Sequence, residues 1–493
     1  MRKFFAILAA IFLALLVGVA YGAKQQGIPF SELNVQKVKQ IFVHFKETGS
    51  DKLNAVKNKP AKKSVEVTAV DDGQNLSYDE RMEKGDYFFT RGFLTFAANE
   101  YVKASNLEPK RSAPYFKLFD TNFALGEYEK ARRNVDTILI LDPQNTEARY
   151  FSAQIALKQG AFEEAKVTLD ELASTITTDP RLDYDRALIH ILFNEYDEAK
   201  KLLKQAQAKS PFLSLAEKIE KIMSAYREFE FAQAADPLYL SELLARALNQ
   251  NTDYELAIFK LKEVLRSRND LRDAWILLGF AYLNLEKPYF ALTSFERAYE
   301  IDPEWPATQY FLGTTHQELG DFEKAIFYFN YALNNQFEPQ VVVKQKLADL
   351  YMEKKDYESA VKMYKEILEA NKQEVSAFVK PIWIYLDFLS NPDEALKLAE
   401  LAILAFPENA MAYNLLGWAQ LGNGNYTESE VNLNKAIAID PSLAAVYLNQ
   451  GKLYEKMKKN EKAITAYQKA YDLDQNGSIG RQAAERYNEL LKN

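Results

Sequence analysis

Three histidines, His44, His190 and His316, and a large stock of Asp and Glu are the side chains of this 493-residue chain that could shuttle a proton or ligate a metal. Proton transfer needs a base within hydrogen-bond reach of its partner, and a metal needs several donors at set offsets. Neither spacing occurs. The acids follow helix-surface periodicity, as in "DEAKKLLK" (197–204) and "EKAIFYF" (323–329), the pattern of solvated faces. "GNGN" (422–425) lacks the GK[ST] ending of a phosphate loop and reads as a turn. "DLDQNGSIG" (472–480) resembles a calcium loop, but has no Glu at the required distance and also reads as a turn. The chain has no cysteine, which removes disulfides, thiolate nucleophiles and zinc ribbons. The residue inventory predicts no catalytic site, no cofactor and no metal.

Charge narrows the partners. Residues 1–63 carry 11 Lys or Arg against three acids, a net +8, so with −8 overall the remaining body carries −16. An acidic body without a Lys/Arg stripe argues against nucleic acid, whose phosphates need clustered positive charge. Arg2 and Lys3 precede an uncharged run from Phe4 to Ala23. Twenty helical residues span about 30 Å, the thickness of a bilayer core. That length favours a retained anchor, whereas the small residues ending at Gly22 fit a cleaved signal peptide. Either way the positive-inside tendency sends the remainder outward. The chain is therefore expected at a cell membrane as a single-pass protein with its C-terminal part outside the cytoplasm, or periplasmic or secreted after cleavage near Gly22. Segment 24–77 is a basic linker with one amphipathic stretch, Leu33, Val38, Ile41, Phe42 and Phe45.

The elements that would present any surface are repetitive. Residues 272–305, "RDAWILLGFAYLNLEKPYFALTSFERAYEIDPEW", place Trp275, Leu278, Gly279, Tyr282, Ala291, Phe295, Ala298 and Pro303 at offsets that return from Ala410 and again from Ala444. Eleven copies start at Tyr78, Ser112, Thr146, Pro180, Leu238, Arg272, Pro306, Val341, Ser376, Ala410 and Ala444. Each holds two apolar-periodic segments of about 14 residues around a short polar turn, hence two antiparallel helices. The period of 34 with these residues resembles the tetratricopeptide repeat. The resemblance implies an all-α fold, an α-solenoid coiled as a right-handed superhelix, with the first helix of each hairpin on the concave side.

The small residue at the eighth position (Gly279, Gly313, Gly417, Gly451) is expected to face the small residue at the twentieth (Ala291, Ala325, Ser429, Ala463). His190 and His316 fall where other copies have Tyr, Phe or Leu, and read as core histidines held by a neighbour. The expected domains are 1–23 signal-anchor or signal peptide, 24–77 linker, 78–211 repeats one to four, 212–237 a connecting helix, 238–477 repeats five to eleven, and 478–493 a capping helix. The cap's apolar stripe is Ala483, Tyr487, Leu490 and Leu491. Gln340 and Val375 are single extra residues between copies. In the ninth copy, counted from Ser376, Pro381 is expected to kink the first helix, and Trp383 takes the small-residue position. Phe119 takes that position in the second copy.

Without a catalytic constellation, surface remains. The resemblance implies a concave groove for a protein or peptide ligand, lined by Phe116, Tyr150, Tyr239, Ile276, Phe280, Tyr310, Lys380, Asn414, Trp418 and Leu448, with Asp86, Asp120, Arg246, Asp349 and Lys452 among them. The carboxylate clamp of some family members is absent, since Ile384 stands where Asn would follow Lys380. The chain reads as an exported or membrane-anchored interaction scaffold, with cell-envelope assembly or secretion as its setting by analogy of fold. Two alternatives stand beside it: a substrate-holding subunit of an enzyme complex, and a self-associating array stacked end to end.

Overall fold

The computed structural model describes residues 76–209, 213–232, 236–371 and 373–492. The anchor and nearly all of the linker expected from sequence lie outside the described residues. Among those residues every regular element is helical, and no helix is long and apolar enough to cross a membrane. The chain divides into two compact units, Met1–Ile219 and Glu220–Asn493.

Unit 1 holds four hairpins: α1 (Tyr78–Thr90) with α2 (Leu94–Leu107), α3 (Ala113–Ala124) with α4 (Tyr128–Leu141), α5 (Thr146–Gln159) with α6 (Phe162–Thr175), and α7 (Pro180–Leu192) with α8 (Tyr196–Lys209). The 19-residue α9 (Leu213–Phe231) contains the unit boundary. Unit 2 continues with α10 (Pro237–Gln250) and α11 (Tyr254–Ser267), α12 (Arg272–Asn284) and α13 (Pro288–Ile301), then α14 (Pro306–Glu318) and α15 (Phe322–Asn334). It closes with α16 (Gln340–Glu353) and α17 (Tyr357–Ala370), α18 (Val379–Asp387) and α19 (Pro392–Ala405), α20 (Ala410–Gly422) and α21 (Tyr426–Ile439), α22 (Ala444–Lys456) and α23 (Asn460–Leu473), and the final α24 (Ser478–Lys492). The fold is an all-α solenoid of helical hairpins.

Sequence accounts for where these helices start. Asn145 caps α5 by accepting from the Ala148 amide at 3.0 Å, and Asn409 caps α20 by accepting from Met411 and Ala412. Pro180, Pro237, Pro288, Pro306 and Pro392 open helices at the first turn, where no amide partner is lost. Each hairpin then turns through one left-handed residue at about its fifteenth position. Gly92, Gly126, Gly160, Gly320 and Gly424 take it without strain, but Asn194, Thr252, Glu286, Lys355, Ser390 and Lys458 take it with a side chain. Thr252, β-branched at φ 64°, is the most strained chemically. Thr252→Gly should therefore stabilise unit 2 by about 1 kcal/mol, read as a higher urea midpoint with unchanged slope; no gain would mean that the turn is not under strain.

The small eighth residue meets a different partner from the one expected. A Cβ built on Gly279 would stand 2.5 Å from Cε1 of Phe295, not against Ala291, and the same holds for Gly85 with Tyr101, Gly313 with Phe329, Gly417 with Leu433 and Gly451 with Tyr467. The partner is thus the twenty-fourth residue, whose ring edge, or in Leu433 the branched end, fills the space of the missing side chain. Sizes trade across this pair along the array. Ala153, Ala187 and Ala245 occur with Leu169, Leu203 and Leu261, and Phe119 occurs with the smaller Val135; all eight side chains are buried. Close packing at fixed interhelix volume requires this exchange.

The ninth hairpin corrects a register. In regular hairpins the amide before the second helix donates to the carbonyl of the eleventh residue, as Lys287 does to Tyr282 and Asp356 to Tyr351. Here Asn391 donates to Tyr385 at 2.8 Å, one residue further back. The extra residue therefore sits in the turn after α18, not before the helix, and Tyr385 is the counterpart of Tyr282. Ile382, fully buried, takes the small-residue position, and Trp383 moves to the next one. Pro381 does not interrupt a helix interior, because α18 begins at Val379 after a 3-10 turn, Val375–Phe378, so the proline lies in the first turn, where no helical hydrogen bond is lost.

The last helix packs on α22 and α23 through Ile479, Ala483, Tyr487 and Leu490, while Leu491, expected in the stripe, is exposed. The turn before it uses its acid as a cap: Asp474 Oδ2 accepts from the amides of Ile479 at 3.0 Å and Gly480 at 3.1 Å.

Candidate partner-binding site

In unit 2 the first helices of successive hairpins touch one another directly, α10 with α12, α12 with α14, α18 with α20 and α20 with α22, whereas the second helices make no comparable contact. The closer-set first helices form the inner side of the stack there. Which of their side chains a ligand can reach depends on position within the helix.

Fifth-position side chains are seams. Tyr150, Asn414 and Leu448, expected to face a ligand, are buried. Each of the first two reaches the sixth residue of the next hairpin's first helix: Tyr150 donates to Asp185 at 2.7 Å, and Asn414 accepts from the Asn449 amide at 3.0 Å. Burial, then the Asp185 carboxylate, raises the Tyr150 hydroxyl well above the usual tyrosine range. Phe116 follows the same rule, half-buried with its ring edge-on to Phe151 at 6.0 Å. The physical cause is spacing: a side chain aimed between two helices about 9 Å apart is covered by the second. Ile276 and Tyr310 are half-buried, and Tyr310 stacks on Phe337 at 4.5 Å. Tyr239, at the second position, is half-buried with its hydroxyl near Glu228. Lys380 is exposed and donates to the Tyr364 hydroxyl at 2.8 Å.

In unit 2 the ninth-position side chains stay open, whereas Leu188, at that position in unit 1, is buried. Arg246, Phe280, Thr314, Asp349, Trp383, Trp418 and Lys452 succeed one another along the first helices of unit 2, each at least partly exposed between buried neighbours. Phe280 and Trp418 were expected there. Trp383 was missed, because counting from Ser376 put it in the core; the signal that finds it is the spacing of Phe378 and Tyr385, which equals that of Trp275 and Tyr282. Trp383 donates its indole N–H to Asp387 at 2.9 Å and stands edge-on to Phe388. Phe280 is not wholly free either, lying edge-on to Tyr254 and Phe311.

His316 behaves as a core group, and His190 is partly buried and held by a neighbour. His316 is buried, stacks on Tyr328 at 5.5 Å and is shifted below the usual histidine range by that burial; His190 pairs through Nδ1 with Glu195. His44 lies outside the described residues. Among the described residues no cluster of His, Asp and Glu is arranged to hold a metal. A shallow hollow of about 430 Å³ on α8, by Lys200, Lys201 and Lys204, is lined by one helix alone and lacks converging walls.

Profiles described as Tetratricopeptide repeat match residues 122–189, 273–304, 306–337, 343–374, 384–444 and 444–476, together just over half of the chain. This chain belongs to the tetratricopeptide repeat family. TPR repeat-containing protein MJ1428 of Methanocaldococcus jannaschii is 22% identical over 439 residues, 80% of this chain and 75% of that protein. Tetratricopeptide repeat protein 37 of Xenopus laevis is 26% identical over 158 residues, 30% of this chain but only 10% of that protein. Among solved structures, yeast Tom70 is similar at 15% identity over 84% of this chain and 95% of that chain, with a TM-score of 0.29. The tetratricopeptide signature thus falls on the hairpins, and in unit 2 the ninth-position ladder is what packing leaves partly open.

Proposed function

We propose that this protein is a binding scaffold, not an enzyme, that holds a segment of a partner protein along the ninth-position face of unit 2, and that its N-terminal apolar run places the array outside the cytoplasmic membrane. The observation that supports the first part is the ladder itself. Three aromatic side chains, Phe280, Trp383 and Trp418, left partly exposed at one repeating position among polar and charged rungs suit an interaction surface of mixed character. The second part rests on sequence, on Arg2 and Lys3 followed by the uncharged run 4–23. Cell-envelope assembly or secretion is the setting that such an exported array would serve.

A photo-crosslinking residue at position 280, in the full chain in its native membrane, should capture one partner that the same residue at position 431, on the exposed outer side of α21, does not. Equal capture from both, or none from 280, would sink the groove. With the photo-crosslinking residue moved to position 314, the next rung of the ladder, Phe280→Ala should reduce capture of the same partner about tenfold or more. It should also cost about 1–2 kcal/mol of stability, less than a fully buried Phe→Ala, because its edges touch Tyr254 and Phe311. For the N-terminus, the intact mass of the mature protein separates a retained anchor from cleavage near Gly22.

A further inference from the structure

Cations on the first helices are generally spoken for. Lys117 pairs with Asp86 at 2.8 Å, Arg246 with Glu228, and Lys380 with Tyr364 and Asp349. Lys452 is different. It stands at the ninth position of α22, partly buried, and makes no hydrogen bond or ion pair among the described residues. Its ammonium lies 5.8 Å from the ring centre of Trp418, the ninth residue of the preceding repeat. Two acids are near enough for their charge to be felt, but both are committed elsewhere. Asp387 takes the indole N–H of Trp383, and Glu455 takes the Tyr467 hydroxyl at 2.6 Å and the Arg486 guanidinium at 2.8 and 3.0 Å. Burial holds Lys452 below the usual lysine range, so the fold bears a cost for keeping this charge where it is. A charge kept in a half-dry groove without a partner is stabilised when a counter-charge arrives with a ligand.

We infer that Trp383, Trp418 and Lys452, the ninth residues of three consecutive repeats, form one subsite for an extended partner segment that places an acidic side chain on Lys452 and apolar side chains on the two tryptophans. This rests on the groove reading above and specifies its ligand. Neighbouring first helices lie about 9 Å apart, which an extended chain covers in about three residues, so the apolar and acidic groups recur at that spacing. One ammonium flanked by Asp387 and Glu455 suits a single carboxylate and disfavours denser negative charge.

The test is to pan a displayed library of random twelve-residue peptides, tethered at their C-terminus, against the full chain in detergent. Enriched peptides should carry Asp or Glu about three residues from a large apolar side chain, and Glu→Gln in the best of them should weaken binding at least tenfold. Lys452→Met should abolish that preference while retaining Gln-peptide binding, and should raise the unfolding midpoint at neutral pH, since it removes a partly buried charge that no direct ion pair offsets. Trp418→Ala should weaken both peptides. Enriched peptides that need Trp418 but ignore Lys452 would overturn the acidic subsite and leave the groove intact. Absence of any Trp418-dependent binding would overturn both. A lower midpoint for Lys452→Met would show that the lysine serves the fold.

Discussion

Gly279→Ala should lower the stability of unit 2 by about 2 kcal/mol, within the range for overpacking, although alanine is the better helix former by about 1 kcal/mol. The new methyl would stand 2.5 Å from Cε1 of Phe295. That ring cannot retreat: it is fully buried, and its other side lies parallel to Phe311 of the next hairpin with centres 5.2 Å apart. Phe295→Leu alone should cost about 1–2 kcal/mol, less than truncation to Ala. The double variant recreates a pairing this chain already uses, Ala245 with Leu261, so it should be more stable than the sum of the two losses by about 1 kcal/mol or more. Stability in a repeat array is local plus nearest-neighbour. Amide exchange in α12 and α13, read beside the denaturant midpoint, therefore tests the pair. Strict additivity would show that the eighth and twenty-fourth residues do not share a space.

Ile382→Ala and Trp383→Ala, adjacent changes in one short helix, should have opposite consequences. Ile382 is fully buried in the cluster that contains Ala395, Ala399 and Ala402. Its truncation should cost about 2–4 kcal/mol. Trp383 is partly exposed: it contacts Asp387 and Phe388 and packs against the edge of the same cluster. Its truncation should cost about 1–2 kcal/mol, less than that of Ile382 because only part of the ring is covered, and lower peptide affinity tenfold or more as an aromatic anchor does. Were the helix in the register counted from Ser376, Trp383 would be the core residue and the two stability losses would change places. Thermal melts of the two variants decide it.

The helical hairpins were legible because their causes are local and repeated. A 34-residue period of apolar residues, proline or Asn/Asp at helix starts and polar turns at fixed intervals leave one architecture for residues 78–477. His316 and the 472–480 turn were also legible as structure, since neither had the companions that chemistry needs. The site was legible only by half. Position numbers put both fifth and ninth residues on the inner face, and periodicity alone cannot say which of them the next hairpin will cover.

Sequence by itself determined the family, the eleven hairpins and the absence of any proton- or metal-handling constellation at recognisable spacing. Those follow from periodicity, which a single hairpin already expresses. Only the tertiary structure decided that Gly279 admits the ring of Phe295, that Tyr150 and Asn414 bond to Asp185 and Asn449 thirty-five residues on, and that one extra residue goes into a turn and delivers Trp383 to the groove. It also left Lys452 without a direct ion pair, its nearby acids Asp387 and Glu455 being bonded elsewhere. Each of these depends on how two helices from different stretches of chain share a volume. Packing at fixed density settles that by size and contact, and a list of positions does not contain it.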